Sequence, residues 1–121
     1  MSNPRERGEA AERLAENYLR DQGLKLVERN FHSRKGEIDL VMQDGGHLIF
    51  VEVRFRRNDH FGSAAESITL TKQRRVINAA SYFLQCRRQW RDSPCRFDVL
   101  TVSGRPHEEI RWIRDAFRQE T

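Results

Sequence analysis

The chain has 121 residues, 37% apolar and 33% charged, with 22 Lys and Arg against 18 Asp and Glu for a formal net charge of +4. No run approaches the roughly 18 consecutive apolar residues of a spanning helix. The opening MSNPRERGEAAERL holds no hydrophobic secretion segment, so a cytoplasmic protein without a membrane partner is expected. Cys86 and Cys95 make neither a disulfide framework nor a metal knuckle, and the periodic apolar runs argue for one folded domain over residues 1–121 rather than disorder.

A first helix is predicted from Pro4 or Arg5 to Asp21, where Ala11, Leu14, Ala15, Tyr18 and Leu19 recur at helical spacing and Gly23 follows as a stop. A strand with imperfect alternation follows over Leu24–Phe31, then a polar turn containing Gly36. Two strands, Glu37–Gln43 and His47–Arg56, flank the turn DGG. Residues 57–67 have no period and read as a loop or a short irregular helix. A long helix is expected over Thr71–Gln89, capped by Thr69 or Thr71 and burying Val76, Ile77, Ala80, Phe83 and Leu84. CRFDVLTV and a short run around EIRWI read as strands, and Asp115–Arg118 as a helical tail. Strands joined through a crossover helix imply a central mixed β-sheet flanked by helices, in an α/β or α+β arrangement.

The two strands around DGG carry the chemistry. Alternation sets Ile38, Leu40 and Met42 on one side with Glu37, Asp39 and Val41 on the other. In the next strand Ile49, Val51, Val53 and Phe55 oppose Leu48, Phe50, Glu52 and Arg54. A two-residue Gly45–Gly46 loop would pair Asp44 with His47 and set Asp39 opposite Glu52. An Asp44–Gly45 turn would set Asp39 opposite Phe50, and a three-residue loop would part the acids. Like charges across a ladder repel unless a cation lies between them. An all-oxygen donor set favours Mg²⁺ or Mn²⁺, with Arg54 beside it to hold a phosphate and Glu37 as a further ligand or a rim residue. The alternative is a half-solvated sheet face whose acids are neutralised by Arg54 or Arg34.

Other chemistries find no support. The four histidines, at 32, 47, 60 and 107, lack ligand spacing, and no serine elbow, P-loop or dinucleotide fingerprint is present. The basic residues bunch at Arg54, Arg56 and Arg57, at Lys72, Arg74 and Arg75, and at Arg87, Arg88 and Arg91, which favours a polyanionic partner, nucleic acid first. Asp98 is read as a salt-bridge partner of an arginine or lysine. Tyr82, Trp90, Trp112 and Phe117 are read as packing residues rather than base platforms.

GEIDLV, FVEVRFR and CRFDVLTV, together with AERLAENYL, LTKQRRVINAASYFL and IRWIRDAF, resemble the YraN family of small bacterial endonuclease-like proteins. The resemblance runs from about Gly8 to Phe117. That family is similar to archaeal Holliday-junction resolvases and other nucleases of the restriction-endonuclease-like fold. The resemblance implies that fold, as one nuclease-like domain with a core over residues 8–117, and a metal-dependent endonuclease acting on DNA, branched or nicked DNA included. It places the first acid at Asp39, the acid-x-lysine motif at Glu52-Val53-Arg54 and a helix carboxylate at Glu12, after Ala11 where the family has glycine. Asp39, Glu52 and Glu12 are the implied ligands of Mg²⁺ or Mn²⁺. Helical geometry sets Glu12 at the edge of the apolar stripe, with Glu9 and Glu16 further toward solvent.

Arg54 departs from the nuclease pattern, because arginine stays charged where lysine can lose a proton. Metal-held water would then be the nucleophile, with Arg54 stabilising charge on the phosphate. Lys72 matches a lysine of the family's T-x-K region and either reaches the site or contacts the nucleic-acid backbone, and Gln73 beside it is a weaker backbone candidate. Arg56, Arg57, Lys72, Arg74 and Arg75 are the expected phosphate contacts. The competing expectation is a non-catalytic nucleic-acid-binding or adaptor protein on the same fold. Symmetric junction cutting would require a homodimer.

Overall fold

In the computed structural model, residues 3–56, 68–104 and 109–119 are described. Helix α1 (Pro4–Asp21) begins at a capping box: Asn3 Oδ1 accepts from the Glu6 N–H at 2.8 Å while the Asn3 N–H donates to Glu6 Oε2 at 3.3 Å. Strands β1 (Lys25–Ser33), β2 (Gly36–Asp44) and β3 (His47–Arg56) follow as an antiparallel meander. Helix α2 (Leu70–Cys86) then leads to β4 (Cys95–Ser103), and β5 (Glu109–Phe117) closes the sheet. Thr69 caps α2, its hydroxyl accepting from the Lys72 N–H at 3.1 Å.

The five strands lie in the order β1-β2-β3-β4-β5. β4 runs parallel to β3, as the α2 crossover requires, and the other pairs are antiparallel. Each face packs its own core. On one face Ala11, Ala15 and Leu19 of α1 meet Leu40, Met42, Ile49, Val51, Leu100 and Val102. On the other, Val76, Ala79, Ala80 and Phe83 of α2 meet Phe31, Ile38, Val41, Leu48, Phe50 and Val99. This is the restriction-endonuclease-like α/β arrangement.

Several expectations are corrected. The helical tail at Asp115–Arg118 is absent: β5 runs on to Phe117, and Asp115 takes a left-handed φ of 53°. Val99 lies opposite Ile113 but Phe97 opposite Phe117, so extra residues are looped out opposite Asp98. Ile110 and Trp112 pack on the α1 core and Ile113, by ordinary alternation, on the α2 core, and across the bulge Ala116 and Phe117 both stay on the α2 side. The resulting spacing of apolar residues resembles a helical period. The long helix ends at Cys86, and a 3₁₀ turn, Arg88–Trp90, takes its last predicted residues. Ile38 packs with Phe31 and Val41 on the α2 side rather than with Leu40 and Met42, because alternation along β2 breaks at Asp39. The loop predicted at 57–67 lies outside the described residues, as does Arg57.

Candidate active site

The β2–β3 turn settles the register. Asp44 pairs with His47, and the ladder proceeds through Gln43–Leu48, Met42–Ile49 and Val41–Phe50 to Leu40–Val51. Pairing stops there, with Asp39 next on β2 and Glu52 next on β3, level with one another as the Gly45–Gly46 loop predicted. Asp39 stands at the mouth of this fork and fills it with its side chain. Its Oδ2 accepts from the Val53 N–H at 2.8 Å, a donor that the ladder would otherwise have used.

Helices on both faces reach into the fork. From α2, Lys72 Nζ lies 3.2 Å from Glu52 Oε1. Glu52 is 3% exposed, and its second oxygen, Oε2, is buried without a hydrogen-bond partner. From α1, the half-buried Glu12 places its carboxyl within hydrogen-bonding reach of Asp39 and of the Asn30 side chain. The three acids therefore form a row, Glu12–Asp39–Glu52, ending on Lys72. Among the described residues, no three His, Cys, Asp or Glu side chains stand close enough together to hold a metal ion between them.

The row is electrostatically loaded. Burial, and then the Asp39 charge, push Glu52 up to about 7, against the pull of Lys72 and Arg54. Burial and Asp39 also push Glu12 up to about 7, with Asn30 opposing. Burial raises Asp39 as well, resisted by the Val53 N–H and by Lys72. Glu12 and Glu52, both raised to about 7 beside Asp39, therefore share in proton binding near neutral pH, and an added cation would displace those protons.

A glycine sets where Lys72 stands. Gly36 opens β2 with φ 155°, and a Cβ there would lie 2.6 Å from the Arg75 carbonyl oxygen. The bare backbone lets the first turns of α2 press onto the start of β2. The sequence marked Gly36 as a turn residue only. Its second role, the close approach of α2, has no local signal.

The other predicted residues are more spread. Arg54 is half-buried on β3, and its charge acts on Glu52. Arg56 is half-buried at the end of β3, while Arg74 and Arg75 are exposed on α2. Glu37 is exposed and pairs with His32 Nδ1 at 3.2 Å, which makes it a rim residue. The reading of Asp39 and Glu52 as solvated acids neutralised by arginines is overturned for Glu52, which is buried against a lysine. Glu16, expected to point toward solvent, is 6% exposed and ion-paired to Arg29 and Arg20. Arg29 holds it through a second bond of 2.9 Å, and the Arg29 hydrogen bond keeps its carboxyl below the usual range.

Asp98 is the structural ion-pair residue expected of it. It is fully buried and accepts from Arg96 Nε at 3.0 and 3.2 Å, Trp112 Nε1 at 2.9 Å and the Asp115 N–H at 2.9 Å. Phe117 is buried, and Trp90 and Trp112 pack against the two cores. Tyr82 is exposed, its ring 6.1 Å from that of Phe31.

A mixed sheet between two helical layers, with acids at a strand fork, defines a protein of the restriction-endonuclease-like class. The chain belongs to the uncharacterised protein family UPF0102, whose model matches residues 11–102, and its resemblance to YraN-like proteins is thereby borne out. It is 50% identical over 118 residues to a UPF0102 protein of Nitrosococcus oceani, covering 97% of this chain and 95% of the relative. A Hahella chejuensis relative is 51% identical over 110 residues (91% of this chain, 88% of the relative). One from Stutzerimonas stutzeri is 47% identical over 118 residues (97% and 98%). No helix of the described residues is long and apolar enough to cross a membrane.

Proposed function

We propose that the protein is a metal-dependent endonuclease that hydrolyses phosphodiester bonds in DNA, branched or nicked DNA included. The observation that carries this reading is the unpartnered, buried Oε2 of Glu52 beside Asp39 at the strand fork. A buried carboxylate oxygen without a donor is costly, and a divalent cation is the partner that a pair of acids fits best. Asp39 and Glu52, with Glu12 behind Asp39, would hold Mg²⁺ or Mn²⁺. Bound there, the ion supplies Lewis-acid stabilisation and a water-derived nucleophile at neutral pH.

The chain's own residues do the rest. Lys72 orients Glu52 through one oxygen and leaves the other to the cation. It also supplies a lysine to the site from α2, in place of the one that the motif lacks at Arg54. Arg54, charged at every working pH, faces developing negative charge on the phosphate. Arg56, Arg74 and Arg75 extend positive charge from this end of the sheet along α2 for the polynucleotide backbone, and Arg57 continues the run in the sequence.

The second reading, a nucleic-acid-binding protein on a nuclease fold, rests on Lys72 already engaging Glu52 and on the charged Arg54. Incubation of the protein with linear, nicked and four-way DNA plus Mg²⁺ or Mn²⁺ separates the two. Cleavage that disappears in Asp39→Asn and Glu52→Gln supports the nuclease. Salt-sensitive binding without cleavage supports the binder. Cleavage that survives both substitutions sinks the proposed site. Symmetric nicks in a four-way junction would further imply a homodimer, which sedimentation would detect.

A further inference from the structure

Asn30 is the one residue of β1 whose backbone turns left-handed, with φ 50°. Around it β1 pairs with β2 on both sides, Arg29 opposite Leu40 and Phe31 opposite Ile38. The pair between them, Asn30 and Asp39, is missing from the ladder. The irregularity in β1 therefore stands level with the fork between β2 and β3. It also lies where the sheet changes faces: Leu40 packs under α1, whereas Phe31 and Ile38 pack under α2.

The turned residue lines a cavity of about 430 Å³ between α1 and β1, together with Glu12, Arg13, Glu16, Asn17 and Arg29. Its side chain faces the Glu12 carboxyl across this cavity, close enough to favour the ionised form of that group. Two requirements meet at this position. The backbone must tolerate a left-handed φ, which limits the choice to Gly, Asn and Asp at small strain. The side chain must offer an N–H to a carboxylate, which glycine and ionised aspartate lack. Asparagine alone satisfies both.

We infer that Asn30 is a positioning residue of the acidic site, whose left-handed backbone aims its amide at Glu12 and fixes that carboxylate against Asp39. The inference rests on the proposed metal site for its consequence but not for its geometry. Glu12 stands on α1, and Asp39 belongs to a different element. With no donor from the sheet, its four-bond side chain would be free to leave the row. Asn30 ties the α1 acid to the strand that carries the left-handed turn, and so sets the distance between the third carboxylate and the other two.

The test begins without metal. In the full-length protein the Asn30 side-chain NH₂ resonances, assigned by NMR, shift in Glu12→Gln and stay unmoved in Glu37→Gln. Identical Asn30 resonances in the wild type and Glu12→Gln overturn the inference. Calorimetric titration with Mn²⁺ then measures the consequence. Asn30→Gly keeps the left-handed backbone without strain and removes the amide, so it should retain the fold by circular dichroism and lose about tenfold in Mn²⁺ affinity. The same substitution in a Glu12→Gln background should cost nothing further, because the amide acts through Glu12. An equal loss in both backgrounds, or none in either, overturns the positioning role. A wild type that binds no Mn²⁺ sinks the metal reading, and the NMR comparison still decides the contact between Asn30 and Glu12.

Discussion

Two buried carboxylates occupy neighbouring parallel strands, Glu52 on β3 and Asp98 on β4, and they are treated in opposite ways. Asp98 has donors from three residues and no exposed surface. Glu52 has one lysine, an orphaned oxygen and a like charge beside it. The fold satisfies the acid it uses for its own integrity and leaves unsatisfied the acid that faces the fork. An under-coordinated buried carboxylate is a cost that a purely structural role would not retain.

The comparison breaks most visibly at Asp98. Asp98→Ala should destabilise the protein by about 3–5 kcal/mol in urea titrations. It strips the acceptor from a largely buried arginine, an indole N–H and the turn at Asp115. Gly36→Ala comes next, at about 2 kcal/mol, because it adds backbone strain and a clash with the Arg75 carbonyl. It should also pull Lys72 away from Glu52, which a crystal structure of the variant would show.

The smallest expected change has the opposite sign. Asp39→Asn keeps an oxygen for the Val53 N–H but removes the charge that helps raise both Glu12 and Glu52. A carboxyl that titrates higher in the folded chain binds its proton more tightly there. Stability of the wild type should therefore decline as pH climbs from 4.5, the ordinary value of a glutamate, to about 7. Asp39→Asn should flatten that decline, gaining on the order of 1–2 kcal/mol at pH 8 and little near pH 4. A variant that loses stability at pH 8 would place Asp39 with Asp98 as a structural acid.

Much of this was readable in the residues. The glycines of DGG and the period-two pattern on either side narrowed the hairpin to a few registers, and the Gly45–Gly46 loop, which sets Asp39 level with Glu52, is the one that forms. Lys72 was legible as a candidate, but its contact with Glu52 depends on how closely α2 approaches β2. That approach is decided by Gly36 against Arg75, a pair far apart in sequence. Glu16 was misjudged because its burial depends on Arg29 from β1, which no helical wheel contains. The end of β5 was misread for a related reason: the bulge opposite Asp98 imposes a near-helical spacing on a strand. Asn30 gave no signal at all, since asparagine in a strand with imperfect alternation is unremarkable until its backbone is seen.

The fork at Asp39 also bears on how the molecule comes together. The β2–β3 hairpin is built from contacts close in sequence and can zip from its turn as far as Leu40 and Val51, where pairing stops. Glu12 and Lys72 arrive from separate helices, over opposite faces and separate cores. In the early hairpin the repulsion between Asp39 and Glu52 is screened by water, and it reaches full strength only when α1 adds Glu12 and both layers bury the acids. A site assembled last in this way burdens the finished protein and spares the search for it.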